Sequence, residues 1–542
     1  MKRRQFLRAT SAPALIGAFP EAIFSKPLSS QGQGQGQGPG PGPGQWDAGV
    51  VAHILPTVSH DSFLIKLSFT QALEHPPVLG VNQMKFKLQM TDTQGFFWQV
   101  RASGLMPESR YRLTLQSHAG RSLCEPWFLK TFPSPHSSPK NVRVLLFTCA
   151  GGHEELTFLP VAIRHRLLQR ALTFNPDAAI ANGDHVYWYL RSPLTAKGSG
   201  ASQKAHDLIG GDFDRSMVAL GSNNETLLKR AVTSQIVPVY GTSFKSVPTF
   251  FLQDDHDYFD NDDAYDEIIT FPPDFFMKQM ARATQSLYYP EFLPDPTRPK
   301  GLPGSALLGK DQGLGESFGT LRYGDLLEVL LYSVRPTMTL AGPSAVFVED
   351  TVEAWLKDRM YRSEAHHVVN APSNPQGWTA GKWGEWYPDV LDKQGQLSTQ
   401  IKKPYWQDGW LSQHDRLLMA MSSMKHKIAL SVSGDLHAIG LGAITSTGKM
   451  DLSNNPVVSV LTGPIGTRPN GWPSGVRKIG AQPSLHLRMN EAIKPIENHG
   501  FTIADFTQEG VELRFFKWDR NTQTPDEIDT LEPFHVEKLS RV

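Results

Sequence analysis

An α/β (or α+β) core of sheets flanked by helices, preceded by a small all-β domain, is the fold class this sequence predicts, and three observations carry it. Residues 46–135 hold short alternating apolar segments between turn-forming residues, a spacing that suits a β-sandwich. From 140 onward, strand-sized apolar runs flank a stretch with helical spacing, as in a β-α-β unit. Residues 501–506 and 511–516 read as a closing hairpin around Glu509-Gly510. With 542 residues, 40% hydrophobic and 20% charged, the chain can bury a large core and should hold more than one domain.

Lys plus Arg and Asp plus Glu both number 53, so no global attraction to nucleic acid or anionic lipid is expected, and no stable partner of either kind. The N-terminus carries an address instead. Lys2-Arg3-Arg4-Gln5-Phe6-Leu7-Arg8 precedes a weakly apolar segment, residues 9–20, too short to span a bilayer and flanked like a cleaved export signal. Its Arg-Arg-x-Phe-Leu order resembles a twin-arginine signal, to which residues 1–30 are assigned. That route implies a periplasmic or secreted protein that meets the twin-arginine translocase during export, folded and often already loaded with a cofactor. No other stretch is long and apolar enough to span a membrane.

Residues 31–45 repeat Gln-Gly and then Pro-Gly with a period of two, which excludes collagen and makes ordering costly. They read as a flexible tether reaching roughly 20 Å. In the all-β region, residues 62–68, 96–102 and 110–116 are the clearest strands. Gly104-Leu-Met-Pro-Glu-Ser-Arg-Tyr111 resembles the leucine-proline-tyrosine corner of fibronectin type III modules, so residues 46–135 are expected to form a fibronectin- or immunoglobulin-like domain. Nothing in it looks catalytic.

Beyond a linker at 134–140, strands are expected at 142–148 and 177–182 around a helix at 161–172, and further strands at 247–252, 326–332, 428–433 and 457–461. Ser412-Gln-His-Asp415 reads as the start of a helix with a capping-box pattern. Residues 192–242, rich in Gly, Ser and Asn, carry no motif and read as an excursion able to cover a site and select substrates.

Four clusters suited to chemistry fall just past predicted strands, where ligands collect in such sheets. The first holds Cys149. As one of two cysteines in an exported chain, it is open to three readings: a thiolate ligand, a buried inert thiol, or a disulfide with Cys124. The second is Gly183-Asp184-His185-Val186-Tyr187, where an Asp and a Tyr three apart can reach one cation; the bland reading is a turn aspartate. The third is Gln253-Asp254-Asp255-His256-Asp257, in which a carboxylate beside an imidazole offers a metal ligand and a proton donor. Asp260, Asp262 and Asp263 after it read as a solvated acidic turn. The fourth is Ser433-Gly434-Asp435-Leu436-His437, presenting two ligands from one tight loop.

Taken together, the order of Cys, Gly-Asp-x-x-Tyr, Asp-Asp-His and Gly-Asp-x-His resembles the PhoD-type alkaline phosphatases, calcineurin-like metallophosphoesterases related to purple acid phosphatases. The segments Arg322 to Arg335, Asn374-Pro-Gln-Gly-Trp378 and 383–389 extend the resemblance. It implies a metallophosphoesterase-like β-sandwich core over 140–530. It also implies a binuclear or multinuclear centre of Fe(III) with Ca(II), although other hard divalent metals suit the same donors. Cys149, Asp184 and Tyr187 would hold the ferric ion, with Asp184 as bridge and counted among the catalytic groups. Asp255, Asp435 and His437 complete the metal shell, His256 protonates the leaving oxygen, and Asn261 and Arg335 are candidates for substrate contact or support of the ligands. Two departures bear on substrate preference: Gln253 replaces a family Trp, and Ser333 a family Asp.

The expected function is an exported phosphoesterase acting on phosphate monoesters or diesters through a metal-activated water. A different class stays open, a non-catalytic exported protein that binds a surface or glycan through its fibronectin-like module.

Overall fold

The computed structural model describes residues 46–188, 200–259, 264–265, 268–269, 272–298, 313–381, 386–403 and 406–541. The expected signal and tether (residues 1–45), together with Asp260, Asn261, Asp262, Asp263 and Trp383, lie outside the described residues.

The N-terminal region contains β1 (Val51–Val58), β2 (Ser62–Phe69), β3 (Val78–Val81), β4 (Met84–Lys87), β5 (Gln89–Met90), β6 (Phe97–Ser103), β7 (Arg110–Gln116) and β8 (Trp127–Lys130). They form two four-stranded sheets, ordered β1-β2-β6-β5 and β4-β3-β7-β8. Along β7, Tyr111, Leu113 and Leu115 are buried while Arg110 and Arg112 face solvent, the two-residue alternation of a half-buried strand. The Tyr111 hydroxyl accepts the Met106 backbone N–H at 2.7 Å, closing the corner that the sequence suggested. Cys124 lies in this core as a free thiol, pushed up to about 12 by burial. Cys149 is free as well, so the disulfide reading is excluded.

The larger region opens with β9 (Asn141–Phe147), α1 (Val161–Leu172) and β10 (Ala178–Asn182), followed by α2 (Gly200–Ile209), α3 (Asn223–Tyr240), β11 (Thr249–Leu252) and α4 (Phe275–Tyr288). Strands β9, β10 and β11 are parallel. Beside β9 lies the antiparallel hairpin His499–Thr507 and Gly510–Trp518, and His535–Ser540 closes the edge. The second sheet runs Phe318–Tyr323, Leu327–Tyr332, His367–Pro372, Leu430–Ser433, Val457–Thr462, Ile439–Thr447.

Alternation within single strands explains how these sheets stack. In β9, Val142, Val144 and Leu146 enter one core, shared with Val329, Leu331 and Val432 of the second sheet. Leu145 and Phe147 enter another, with residues of α1, α3 and α4. Leu330 and Tyr332 pack on α5 (Asp350–Arg362) and α6 (Asp408–Ser422). The result is four layers, two sheets face to face between two layers of helices.

Two expectations are corrected. Helix α6 begins at Asp408 rather than Ser412; the Ser412 hydroxyl donates back to the Asp408 carbonyl at 3.0 Å, the bond of a serine inside a helix. Within 192–242, α3 is a core helix, with Leu228, Val232 and Ile236 buried against Phe251 and Leu145, so residues 223–240 are scaffold and not a lid.

The two regions are locked together. Lys66 of β2, fully buried, donates to Gln99 Oε1 at 2.7 Å and the Ser286 carbonyl at 2.8 Å and pairs with Glu291 at 2.9 Å. Lys229 of α3 reaches Asp92 at 2.6 Å, and Phe132 stacks on Phe250. Removing one partner of a buried ion pair costs about 3–5 kcal/mol because the other charge stays desolvated. Lys66→Met should lower unfolding stability by that order in urea titration, and adding Glu291→Gln should recover part of the loss.

His53, His153 and His367 are held down to about 4, and His499 to about 3, in each case first by burial. The unfolded imidazoles, titrating near 6.5, take up protons that the folded ones refuse. Stability should therefore be intact above that value and fall as pH drops toward 4, by up to about 1.4 kcal/mol per pH unit for each histidine. Melting temperatures measured from pH 8 to 4.5 test this; a flat profile would count against it.

Candidate metal centre

The first predicted ligand of each cluster sits within three residues of a strand's carboxyl end, and Tyr187 and His437 follow on the same loops. Cys149 follows β9, Asp184 follows β10, Asp255 follows β11, and Asp435 follows Leu430–Ser433. Because these strands belong to facing sheets, their ends open into the same space.

The turns are tight. Cys149, Asp184, Asp435 and His437 all have left-handed backbones, with φ of 50°, 59°, 67° and 46°. Each costs on the order of 1–3 kcal/mol and persists only where the surroundings over-determine it, as at functional sites. The turns also touch: a Cβ on Gly434 would lie 2.1 Å from Thr148 Oγ1, and one on Gly183 would lie 2.6 Å from Asp254 Cβ. Any larger residue at either glycine would push two ligand loops apart.

Asp184 Oδ2 is the hub of the first group. It accepts from Cys149 Sγ at 3.3 Å and Tyr187 Oη at 3.0 Å, and His437 Nε2 lies 3.8 Å away. His437 Nδ1 is 2.8 Å from the Gly471 carbonyl; a carbonyl only accepts, so Nδ1 carries a hydrogen, and Nε2 faces the hub and Tyr187 Oη, 2.9 Å away. Burial, then Asp184, pushes the Cys149 thiol well above its usual value. A thiolate there requires a cation beside it.

The second group comprises Asp184, Asp255 and His256, and the third Asp254, Asp255 and Asp435; within each, ligand atoms lie within 4.8 Å of one another. His256 packs over the Tyr187 ring, centroids 4.2 Å apart. Its side chain is 20% exposed, against 1% for Asp255, so the imidazole faces the open side.

Arg335 is buried and binds carboxylates: Nε donates to Asp254 Oδ1 at 2.7 Å, and its far nitrogen lies 3.8 Å from Asp255 and 3.7 Å from Asp435. Burial works against its charge, but the three carboxylates outweigh this and hold the guanidinium above its ordinary value. Burial likewise pushes Asp254 up, and Arg335 is the group that opposes it. Arg335 thus belongs to the support of the ligands.

These donors fit cations. Asp184 Oδ1 and Asp254 Oδ2 are buried without a hydrogen-bond partner among the described residues, although buried carboxylate oxygens are ordinarily satisfied. A thiol, a phenol, an imidazole and several carboxylates converge there.

Three contributors were not legible as functional in the sequence. Asp254 reads there as the first half of Asp-Asp-His. Asp257, whose side chain accepts N–H groups of the Asp184 turn, reads as a generic acidic residue. Gln235 lies in the segment without a motif, yet its Oε1 accepts the Gly152 N–H at 2.6 Å and the Tyr187 N–H at 2.9 Å, tying the Cys149 and Tyr187 loops together. Gln253 is a core residue, bonded to Ala281, Tyr289 and Tyr258.

No protein-family model and no curated protein matches this sequence. Solved structures do resemble it. The structure of PhoD superposes with a TM-score of 0.54 at 14% identity, covering 91% of this chain and 92% of that one. Purple acid phosphatase PPD1 from yellow lupin (Lupinus luteus) seeds gives 0.51 at 12% identity, covering 91% of this chain and 75% of that one. This chain shares their fold across nine-tenths of its length.

Proposed function

We propose that this protein is an exported, metal-dependent phosphoesterase that hydrolyses phosphate monoesters or diesters. The observation that carries the reading is that the three ligand groups share members: Asp184 belongs to the first and second, and Asp255 to the second and third. Shared carboxylates are how a protein sets two cations close enough to act on one phosphoryl group. When bound, the cations polarise the phosphoryl oxygens and supply hydroxide at neutral pH.

The chain's own groups do the remaining work. Cys149, Tyr187 and His437 with Asp184 would offer an anionic thiolate and phenolate beside a carboxylate and an imidazole, a set suited to Fe(III). Asp254, Asp255 and Asp435 offer carboxylate oxygens, suited to Ca(II) or another hard divalent ion. Arg335 keeps the carboxylates in place. His256, on the open side, is placed to give a proton to the departing oxygen. Among the described residues no helix is long and apolar enough to cross a membrane; the twin-arginine motif supports export to a periplasmic or external location.

Metal content and hydrolysis of p-nitrophenyl phosphate and its bis ester test the proposal. Wild type should contain transition metal and cleave at least one ester, and Asp184→Asn should lose activity by at least about 100-fold, together with bound metal. Wild-type protein free of transition metal and inert toward both esters would sink it, leaving the surface-binding alternative. If iron lies against Tyr187, the loaded protein should also show a visible charge-transfer band that disappears in Tyr187→Phe; an iron-loaded wild type without colour would remove Tyr187 from the ligand set.

A further inference from the structure

We propose that Asp257 is a positioning residue whose single carboxylate fixes the Asp184 turn against the Asp254–His256 turn, so that the ligand geometry exists before any cation binds. The inference rests on the metal-centre reading above, not on the reaction.

The hydrogen bonds make the case. Asp257 Oδ1 accepts the N–H groups of His185 at 3.0 Å and Val186 at 3.1 Å. Oδ2 accepts those of Asp184 at 3.0 Å and Asp254 at 2.8 Å. Three donors come from a turn more than seventy residues away in sequence, and the fourth comes from Asp257's own turn. With Gln235 taking the Tyr187 N–H, all four amides from 184 to 187 end on buried side chains. Asp257 is 2% exposed, so water cannot substitute for it.

This arrangement does what the local backbone cannot do for itself. Asp184 holds φ at 59°, a conformation an L-residue leaves unless it is held. Four backbone N–H donors converge on this one buried carboxylate, two on each oxygen. An amide is a poor replacement: Asn presents one acceptor oxygen, and its NH2 would face two N–H donors.

The test uses full-length protein stripped with a chelator. In metal-free wild type, the amides of 184–186 and 254 should resist hydrogen exchange as well as those of neighbouring β10. In Asp257→Asn they should exchange freely, and calorimetric titration with Mn(II) should show affinity reduced 10- to 100-fold. Fast exchange at these amides in metal-free wild type would overturn the proposal without any variant. A folded Asp257→Asn protein that melts lower but binds Mn(II) as tightly as wild type would also overturn it, since the role would then be structural only. Hydrolysis is a separate readout: wild type that binds Mn(II) but cleaves no ester fails the proposed function and leaves this inference standing.

Discussion

Crowded negative charge is the constraint on which the rest of the site depends. Asp184, Asp254, Asp255 and Asp435 are gathered in a small volume, three of them fully buried, with Arg335 lying against three of the four. Carboxylates at such separations in a poorly solvated space repel strongly. One guanidinium cannot neutralise four, so the centre is arranged for cations from outside. The same crowding explains why the ligands are built on strand ends and left-handed turns: only a rigid frame holds like charges together.

That frame has two tiers. Opposed sheets bring the strand ends to one place, with cores on both faces of β9 and of Leu327–Tyr332. Buried polar side chains then hold the turns: Gln235 from α3, His437 against the Gly471 carbonyl, Arg335 across the acidic group. Apolar packing sets where the loops emerge, and hydrogen bonds set where each ligand atom stops.

Most of the frame was legible in the sequence because it rests on periodicity. The strands before Cys149, Asp184, Asp255 and Asp435, helix α1 to the residue, and the final hairpin all appear where apolar patterning places them. The six residues that motif order singles out as candidate metal ligands, Cys149, Asp184, Tyr187, Asp255, Asp435 and His437, share one region, Asp435 alongside Asp254 and Asp255. The supports were not. Gln235 acts through backbone groups 48 and 83 residues away, and no local pattern announces such a contact. Ser412 misled because serine caps a helix and sits inside one with the same neighbours; only the carbonyl it bonds to tells the two apart.

The junction between the two regions bears on what could be removed. Phe132, at the end of the β-sandwich, lies against both Phe250 of β11 and Tyr323 of the second sheet, and the sandwich interior runs into the space between the sheets as one apolar cluster. The N-terminal domain therefore acts as a plug in the open end of the larger one. A chain shortened to begin near residue 140 would expose the floor beneath β11, and the loop bearing Asp255 and His256 would lose its foundation first. Modularity suggested by the sequence stops at this seam: the front domain shares one buried core with the sheets that carry the candidate ligands.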